Sequence, residues 1–190
     1  MEQDREKWNQ RYRDNPPGQE PLELVESYAR QLSPGRALDI ACGLGRHSRV
    51  LAALGFTVDA VDISDVAIKH LQELELPGIH ARCVDLDQHT IAPDSYQLIL
   101  NINFLHRPLF PSLFQGLQPG GMLIFRTFMD GPENQGTPMT KEHLLQPNEL
   151  LHQCVPHLRI LHYREYISTR QQWGQAWAAE LVGRRPEKEG

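Results

Sequence analysis

The chain has 190 residues, 40 % of them hydrophobic, with a formal net charge of −5 and a pI near 6.0. That length predicts one domain with a sizeable core, and the acidic balance excludes a global basic footprint for nucleic acid phosphates. No run approaches the roughly 18 apolar residues of a membrane span, so no membrane partner is expected.

The first stretch, MEQDREKWNQRYRDNPPG, is charged and has no apolar h-region, so it does not read as a signal peptide. Residues 2–14 read as a helix with Trp8 and Tyr12 on one face, broken at Asn15-Pro16-Pro17-Gly18. A second helix is expected from Pro21 to about Gln31, and Ser33-Pro34-Gly35 is a turn. Then strands and helices alternate. Ala37–Cys42 is a strand, Leu44–Leu54 a helix stopped by Gly55, and Phe56–Ile63 a strand. Ser64 is an N-cap for a helix from about Asp65 to Leu74. Ile79–Leu86 and Gln97–Ile102 are the third and fourth strands, and Leu109–Leu117 is a helix. Pro119-Gly120-Gly121 turns the chain into a fifth strand, Met122–Phe128. Near-continuous apolar strands alternating with helices predict a parallel sheet buried on both faces. Residues 129–147 form a long polar connection, a length that is usually functional or disordered. Leu158–Tyr166 and Gln175–Val182 read as a closing antiparallel hairpin at the sheet edge. His152, His157 and His162 lack metal-pair spacing, so no metal site is expected; Arg184 and Arg185 read as a solvated tail. Cys42, Cys83 and Cys154 form no CxxC pair and read as reduced thiols of a cytoplasmic protein.

Ligands of open α/β sheets sit outside the carboxyl ends of the strands. There the sequence "LDIACGLGRHS" places Gly43 and Gly45, with Asp39 inside the strand before them. The glycines let a ligand approach the backbone, beside free N–H groups of the following helix. Asp62 ends the second strand and could accept both hydroxyls of a ribose. Asp85 and Asp87 end the third; Asp85 could accept from an exocyclic amine, and Leu86 could offer its N–H to a ring nitrogen. Asn101 and Asn103 end the fourth. A dinucleotide fits the ribose carboxylate, but its loop needs a third glycine where Ser48 stands. S-adenosylmethionine has no pyrophosphate, and its positive charge suits Asp39.

The stretches "ALDIACGLGRHS", "VDAVDIS", "CVDLD" and "LQPGGMLIFRTF" resemble, in order and spacing, the motifs of class I S-adenosylmethionine-dependent methyltransferases. "KWNQRY", "NFLHRPLFP" and "RTFMDGPENQG…HLLQPNELL" are similar to the small bacterial tellurite-resistance and thiopurine methyltransferases. The resemblance implies a Rossmann-like α/β fold: a seven-stranded, mostly parallel sheet with helices on both faces and an antiparallel last strand. It implies S-adenosyl-L-methionine as cofactor, with Asp39, Gly43 and Gly45 along its methionine part, Asp62 on the ribose, and Asp85 with Leu86 on the adenine. Ala41, Cys42 and Ile63 join the same binding set, and Asn101 lies near the sulfonium.

Methyl transfer from a sulfonium needs chiefly alignment and exclusion of water. The Asn-Pro-Pro-Tyr motif of many amino-group methyltransferases is replaced by Asn101-Ile102-Asn103-Phe104, which argues against base or protein N-methylation. His106 could act as a base and Arg107 could orient an anionic acceptor, or both could support the loop. Trp8 and Tyr12 could cover the cofactor with their ring faces or pack the first helix. The expectation is one methyltransferase domain over 1–190: a helical cap (1–32), a cofactor core (37–128), a substrate-side loop (129–147), and a C-terminal helix with hairpin (148–190). It is expected to act as monomer or homodimer on a small-molecule acceptor, by S-, Se/Te- or O-methylation. The alternatives are an NAD(P)-dependent oxidoreductase and a non-catalytic cofactor-binding module.

Overall fold

The computed structural model describes residues 2–132, 140–170 and 174–187. In chain order the elements are α1 (Glu2–Asp14), α2 (Glu23–Ala29), β1 (Arg36–Ile40), α3 (Arg46–Ala53), β2 (Thr57–Asp62), α4 (Asp65–Glu73) and β3 (Ile79–Cys83). They continue with β4 (Tyr96–Ile102), α5 (Phe110–Gly116), β5 (Leu117–Phe128), α6 (Glu149–Cys154), β6 (Arg159–Arg170) and β7 (Gly174–Arg184). The sheet has 7 strands in the order β3-β2-β1-β4-β5-β7-β6. The first five strands are mutually parallel, and β7 is antiparallel to both β5 and β6. The expected α/β architecture is therefore present. The last strand is the antiparallel one, but it is inserted between β5 and β6, which leaves β6 at the edge.

Apolar residues alternate between two cores. Leu38, Ile40, Ile99, Leu123 and Phe125 face Phe110 and Leu113 of α5 and Leu150 of α6. Ala37, Val58, Leu98, Leu100 and Ile124 face the opposite side, with Val25 of α2, Leu51 of α3 and Ile68 of α4. Each such Leu or Ile contributes about 1.5–3 kcal/mol on burial, so the central strands form the rigid frame. Their carboxyl ends are then fixed relative to one another by register: Ile40 lies beside Val61 and Asn101, and Ile102 beside Arg126.

Some boundaries differ from the sequence reading, each for a local reason. The third strand stops at Cys83, because the Asp85 side chain accepts from the Asp87 N–H and the Asp85 carbonyl from the Gln88 N–H, which forms a turn. β5 starts earlier than expected, at Leu117, and runs through Gly120 at φ 76°, whose N–H donates to the Arg185 carbonyl. Arg184 and Arg185 are not a solvated tail. Arg184 pairs with Met122 in the sheet, and Arg185 forms an ion pair with Asp94 at 2.5 Å. His162 lies 2.9 Å from the buried carboxylate of Glu180. Cys42, Cys83 and Cys154 are free thiols. Among the described residues no helix is long and apolar enough to cross a membrane.

Candidate functional site

The turn between β1 and α3 holds three residues in the left-handed region: Ala41 (φ 51°), Gly43 (φ 56°) and Gly45 (φ 76°). Glycine adopts it freely, whereas Ala41 carries a cost of about 1–2 kcal/mol. Space imposes a second requirement. A Cβ on Gly43 would lie 2.7 Å from Tyr12 Oη, and one on Gly45 2.5 Å from Leu71 Cδ1. Gly43 makes room for α1 and Gly45 for α4.

Two carboxylates flank this turn. Asp39 is 1 % exposed, and its Oδ2 accepts from Ser48 Oγ at 2.6 Å. Burial pushes its carboxyl up to about 6, against the pull of that hydroxyl. Ser48 therefore does what a third glycine could not: it holds a buried acid. Asp62, 4 % exposed, accepts from the Gly43 N–H at 2.8 Å and the Ser64 N–H at 2.9 Å, one on each oxygen. Burial raises its pKa, and these backbone donors offset part of the rise. Cys42 is buried against the same turn, and burial pushes its thiol up. Ile63 follows Asp62 into the Ser64-capped start of α4, where Ser64 Oγ accepts from the Ala67 N–H at 3.1 Å.

Helix α1 crosses this end of the sheet, pinned by a residue the sequence reading passed over. Asn9, 4 % exposed, donates to Asp65 Oδ1 at 2.6 Å and accepts from Ser64 Oγ at 2.7 Å. The signal available was its position four residues before Arg13 on a helix with Trp8 and Tyr12, too weak to single out one amide. With α1 so held, Tyr12 points at Gly43, and burial together with Asp62 raises its phenol pKa. The Trp8 and Tyr12 rings are 6.0 Å apart, with Trp8 40 % exposed. A second missed residue, His47, is 3 % exposed and accepts the Leu22 N–H on Nε2 at 3.2 Å, tying α2 to α3. Burial, with Arg46 and Arg126, pushes its pKa down to about 3, so it is neutral.

The next strand ends form a separate group. Leu86 is buried and Asp85 half-buried in the turn after β3. Asp87 Oδ1 lies 3.1 Å from His106 Nε2, which joins the loops after β3 and β4. Asn101 is buried, and its Nδ2 donates to the Phe104 carbonyl at 2.6 Å, so its amide shapes the turn after β4. Arg107 uses four of its five N–H groups within the chain. Its Nε donates to Glu149 Oε1 at 2.6 Å, Nη1 to the Glu142 carbonyl at 2.7 Å, and Nη2 to Glu149 Oε2 and the Leu144 carbonyl at 2.9 Å. Burial acts to raise the Glu149 pKa, but the Arg107 guanidinium and the Gln146 N–H outweigh it and leave it below the ordinary carboxylate range. Arg107 thus clamps the described part of the 129–147 connection, in which Met129 bridges Leu145 and the Leu145 N–H donates to the Phe128 carbonyl at the end of β5. Residues 133–139 of that connection lie outside the described residues. Among the described residues no group of three or more His, Cys, Asp or Glu is placed to hold a metal ion.

Comparison with known proteins agrees with this layout. The chain is 31% identical over 100 residues to a probable S-adenosyl-L-methionine-dependent methyltransferase TehB of Haemophilus influenzae, covering 50% of this chain and 35% of that protein. It is 33% identical over 101 residues to a ubiquinone biosynthesis O-methyltransferase of Parvibaculum lavamentivorans, covering 48% of this chain and 40% of that protein. The matches thus span well under half the length of these curated relatives. The crystal structure of TehB from Haemophilus influenzae superposes with a TM-score of 0.75 at 21% identity, over 95% of this chain and 66% of that one. Residues 3–169 match the family described as Tellurite resistance protein TehB, and the chain belongs to that family.

Proposed function

We propose that the protein is an S-adenosyl-L-methionine-dependent methyltransferase acting on a small-molecule acceptor. The observation that carries this reading is Asp62, a buried carboxylate braced by the Gly43 and Ser64 N–H groups beside a turn with left-handed glycines. Each of its oxygens uses one acceptor position and keeps another, which suits a ribose diol. The residues fit the cofactor at its other end too. Asp39, Ala41, Cys42, Gly43 and Gly45 would border the methionine part, Ile63 would lie beside the ribose, and Asp85 with Leu86 would hold the adenine. Asp39 favours a positive charge nearby, since a cation is what returns a buried acid to its ionised form. When bound, S-adenosylmethionine supplies an electrophilic methyl group on sulfur.

The chain's own part is alignment and exclusion of water. Tyr12 and Trp8, on the α1 segment anchored by Asn9, would close the cofactor side. Asn101 would set the turn at the sulfonium end through the Phe104 carbonyl. With Nε2 donating to Asp87, His106 keeps Nδ1 as the atom able to take a proton from an oxygen acceptor. Arg107 moves from substrate recognition to support of the pocket wall. The relatives' names include an O-methyltransferase, which supports a small acceptor methylated on oxygen; sulfur, selenium and tellurium acceptors belong to the same proposal. Free thiols at Cys42, Cys83 and Cys154 fit a cytoplasmic setting.

Transfer of a labelled methyl group from S-adenosylmethionine to thiols, selenite, tellurite, phenols and small carboxylic acids tests this reading. A labelled small-molecule product is expected from at least one class. No product from any class, with S-adenosylhomocysteine still bound, would favour a non-catalytic binding module instead.

A further inference from the structure

Arg126 is 5 % exposed near the carboxyl end of β5, on the face that carries α2 and α3. Its partners are neutral: Asn103 Oδ1 accepts from Nη1, Ser168 Oγ accepts from Nη2 at 2.9 Å, and the guanidinium lies 4.6 Å from the centre of the Phe128 ring. Its Nε is buried with no hydrogen-bond partner. Among the described residues no carboxylate forms an ion pair with it. The acid opposite it in the sheet register is Glu180, whose Oε1 is bonded to Arg164 at 2.6 Å and lies 2.9 Å from His162. Glu180 Oε2 accepts from Tyr166 at 2.9 Å.

A second guanidinium stands within electrostatic reach. Arg46, at the start of α3, donates among the described residues to the Gly18 and Glu20 carbonyls, at 3.2 Å and 3.3 Å. Burial and then the Arg126 charge lower its pKa, and Asp39, already held by Ser48, offsets this only in part. Buried arginines are ordinarily paired with an acid, and a buried donor without a partner is costly. Arg184 also has an unpartnered Nε, but it lies at the far end of β5 beside Met122, away from the strand ends that form the cleft. Of these two residues, only Arg126 combines a buried, unpartnered donor with a place near the carboxyl ends of the parallel strands. It is enclosed by the turn after β4 (Asn103) and the end of β6 (Ser168), on the opposite side of β1 from Asp62.

Resting on the methyltransferase reading, we propose that Arg126 is the specificity residue for the acceptor and binds a carboxylate carried by it. A carboxylate oxygen takes the free Nε–H, and its second oxygen takes the remaining hydrogen of Nη2, the side-on geometry that suits a planar guanidinium. Asn103 and Ser168 hold the plane in place. The same chemistry exists on the methionine part of the cofactor, so the test separates the two sources.

Binding is measured by calorimetry for the unmodified protein, Arg126→Met and Arg126→Lys. The probes are S-adenosylhomocysteine, methylthioadenosine (which lacks the amino acid carboxylate), and, on the S-adenosylhomocysteine-saturated protein, benzoate and butyrate with their amides. At least one acid is expected to bind tenfold or more tightly than its amide. Arg126→Met should erase that preference and Arg126→Lys restore part of it, with affinity for both nucleosides within twofold of the unmodified protein. Equal binding of acid and amide to the unmodified protein overturns the proposal. A tenfold loss of S-adenosylhomocysteine but not methylthioadenosine in Arg126→Met also overturns it, by giving the site to the cofactor. Failure of the unmodified protein to bind either nucleoside overturns the methyltransferase reading itself, a separate result.

Discussion

The carboxyl edge of the sheet has two halves built in opposite ways. Around β1 and β2 the buried charges are negative, Asp39 and Asp62, and they are held by a hydroxyl and by backbone N–H groups from within 19 residues. Around β4 and β5 the buried or half-buried charges are positive, Arg107 and Arg126. They are held by side chains and carbonyls from far along the chain: Glu149 and Ser168 each lie 42 residues away. Short-range bracing fixes a site as soon as its turn forms. Long-range bracing makes a site depend on where the C-terminal hairpin and the 140–149 segment dock. The first half suits an invariant ligand, and the second suits variation in what is accepted.

The comparison breaks most readily at Gly45. Gly45→Ala adds a Cβ against Leu71 at a φ that L residues rarely adopt, and should lower stability by about 2–4 kcal/mol in denaturant unfolding. A loss under 1 kcal/mol would mean that the turn is not rigidly packed. On the other half, Arg107→Met and Glu149→Gln should each cost about 1–2 kcal/mol, because the clamp is partly exposed. The double variant should cost little more than either alone. All three should speed proteolysis around residues 141–149 while leaving S-adenosylhomocysteine affinity unchanged. Loss of that affinity would show that the halves are not independent.

A pH dependence sharpens the comparison further. Between its ordinary 3.8 and its folded value of about 6, Asp39 is protonated in the folded chain and ionised in the unfolded one. Its contribution to stability therefore falls as pH rises through that window. Asp39→Asn should gain on the order of 1–3 kcal/mol at pH 7 and nothing near pH 4, while weakening S-adenosylhomocysteine. His47 acts oppositely. With a folded value of about 3 against an ordinary 6.5, it costs stability as pH falls below 6.5, because the unfolded chain takes up the proton first. His47→Gln keeps an acceptor for the Leu22 N–H and should flatten that acid loss. Matching slopes for the unmodified protein and both variants would contradict these assignments.

What the sequence disclosed follows the same division. The strand-helix alternation, the Ser64 cap, the antiparallel hairpin and the Asp39–Gly43–Gly45–Asp62 set are all patterns of near neighbours, and each stands where periodicity and turn chemistry put it. The half around β4 and β5 was poorly legible. Arg107 follows the fourth strand closely enough to be read as a substrate residue, and only docking of the 142–149 segment shows that most of its donors are used within the chain. Arg126 sits inside an apolar strand run, "LIFRTF", where a single charge is a conflict with its surroundings; that conflict was the available signal. Asn9 gave too weak a signal and His47 none, since their partners depend on how α1 and α2 pack.

The central claim is that Asp62 and its glycine turn form an S-adenosylmethionine site. Thermal unfolding with S-adenosylhomocysteine, and separately with NADH, tests it most directly, using the unmodified protein and Asp62→Ala. At 100 times its dissociation constant a ligand stabilises by about 2.7 kcal/mol. The account predicts that shift with S-adenosylhomocysteine only, and its loss in Asp62→Ala. A shift with NADH alone, or an undiminished S-adenosylhomocysteine shift in Asp62→Ala, would contradict it.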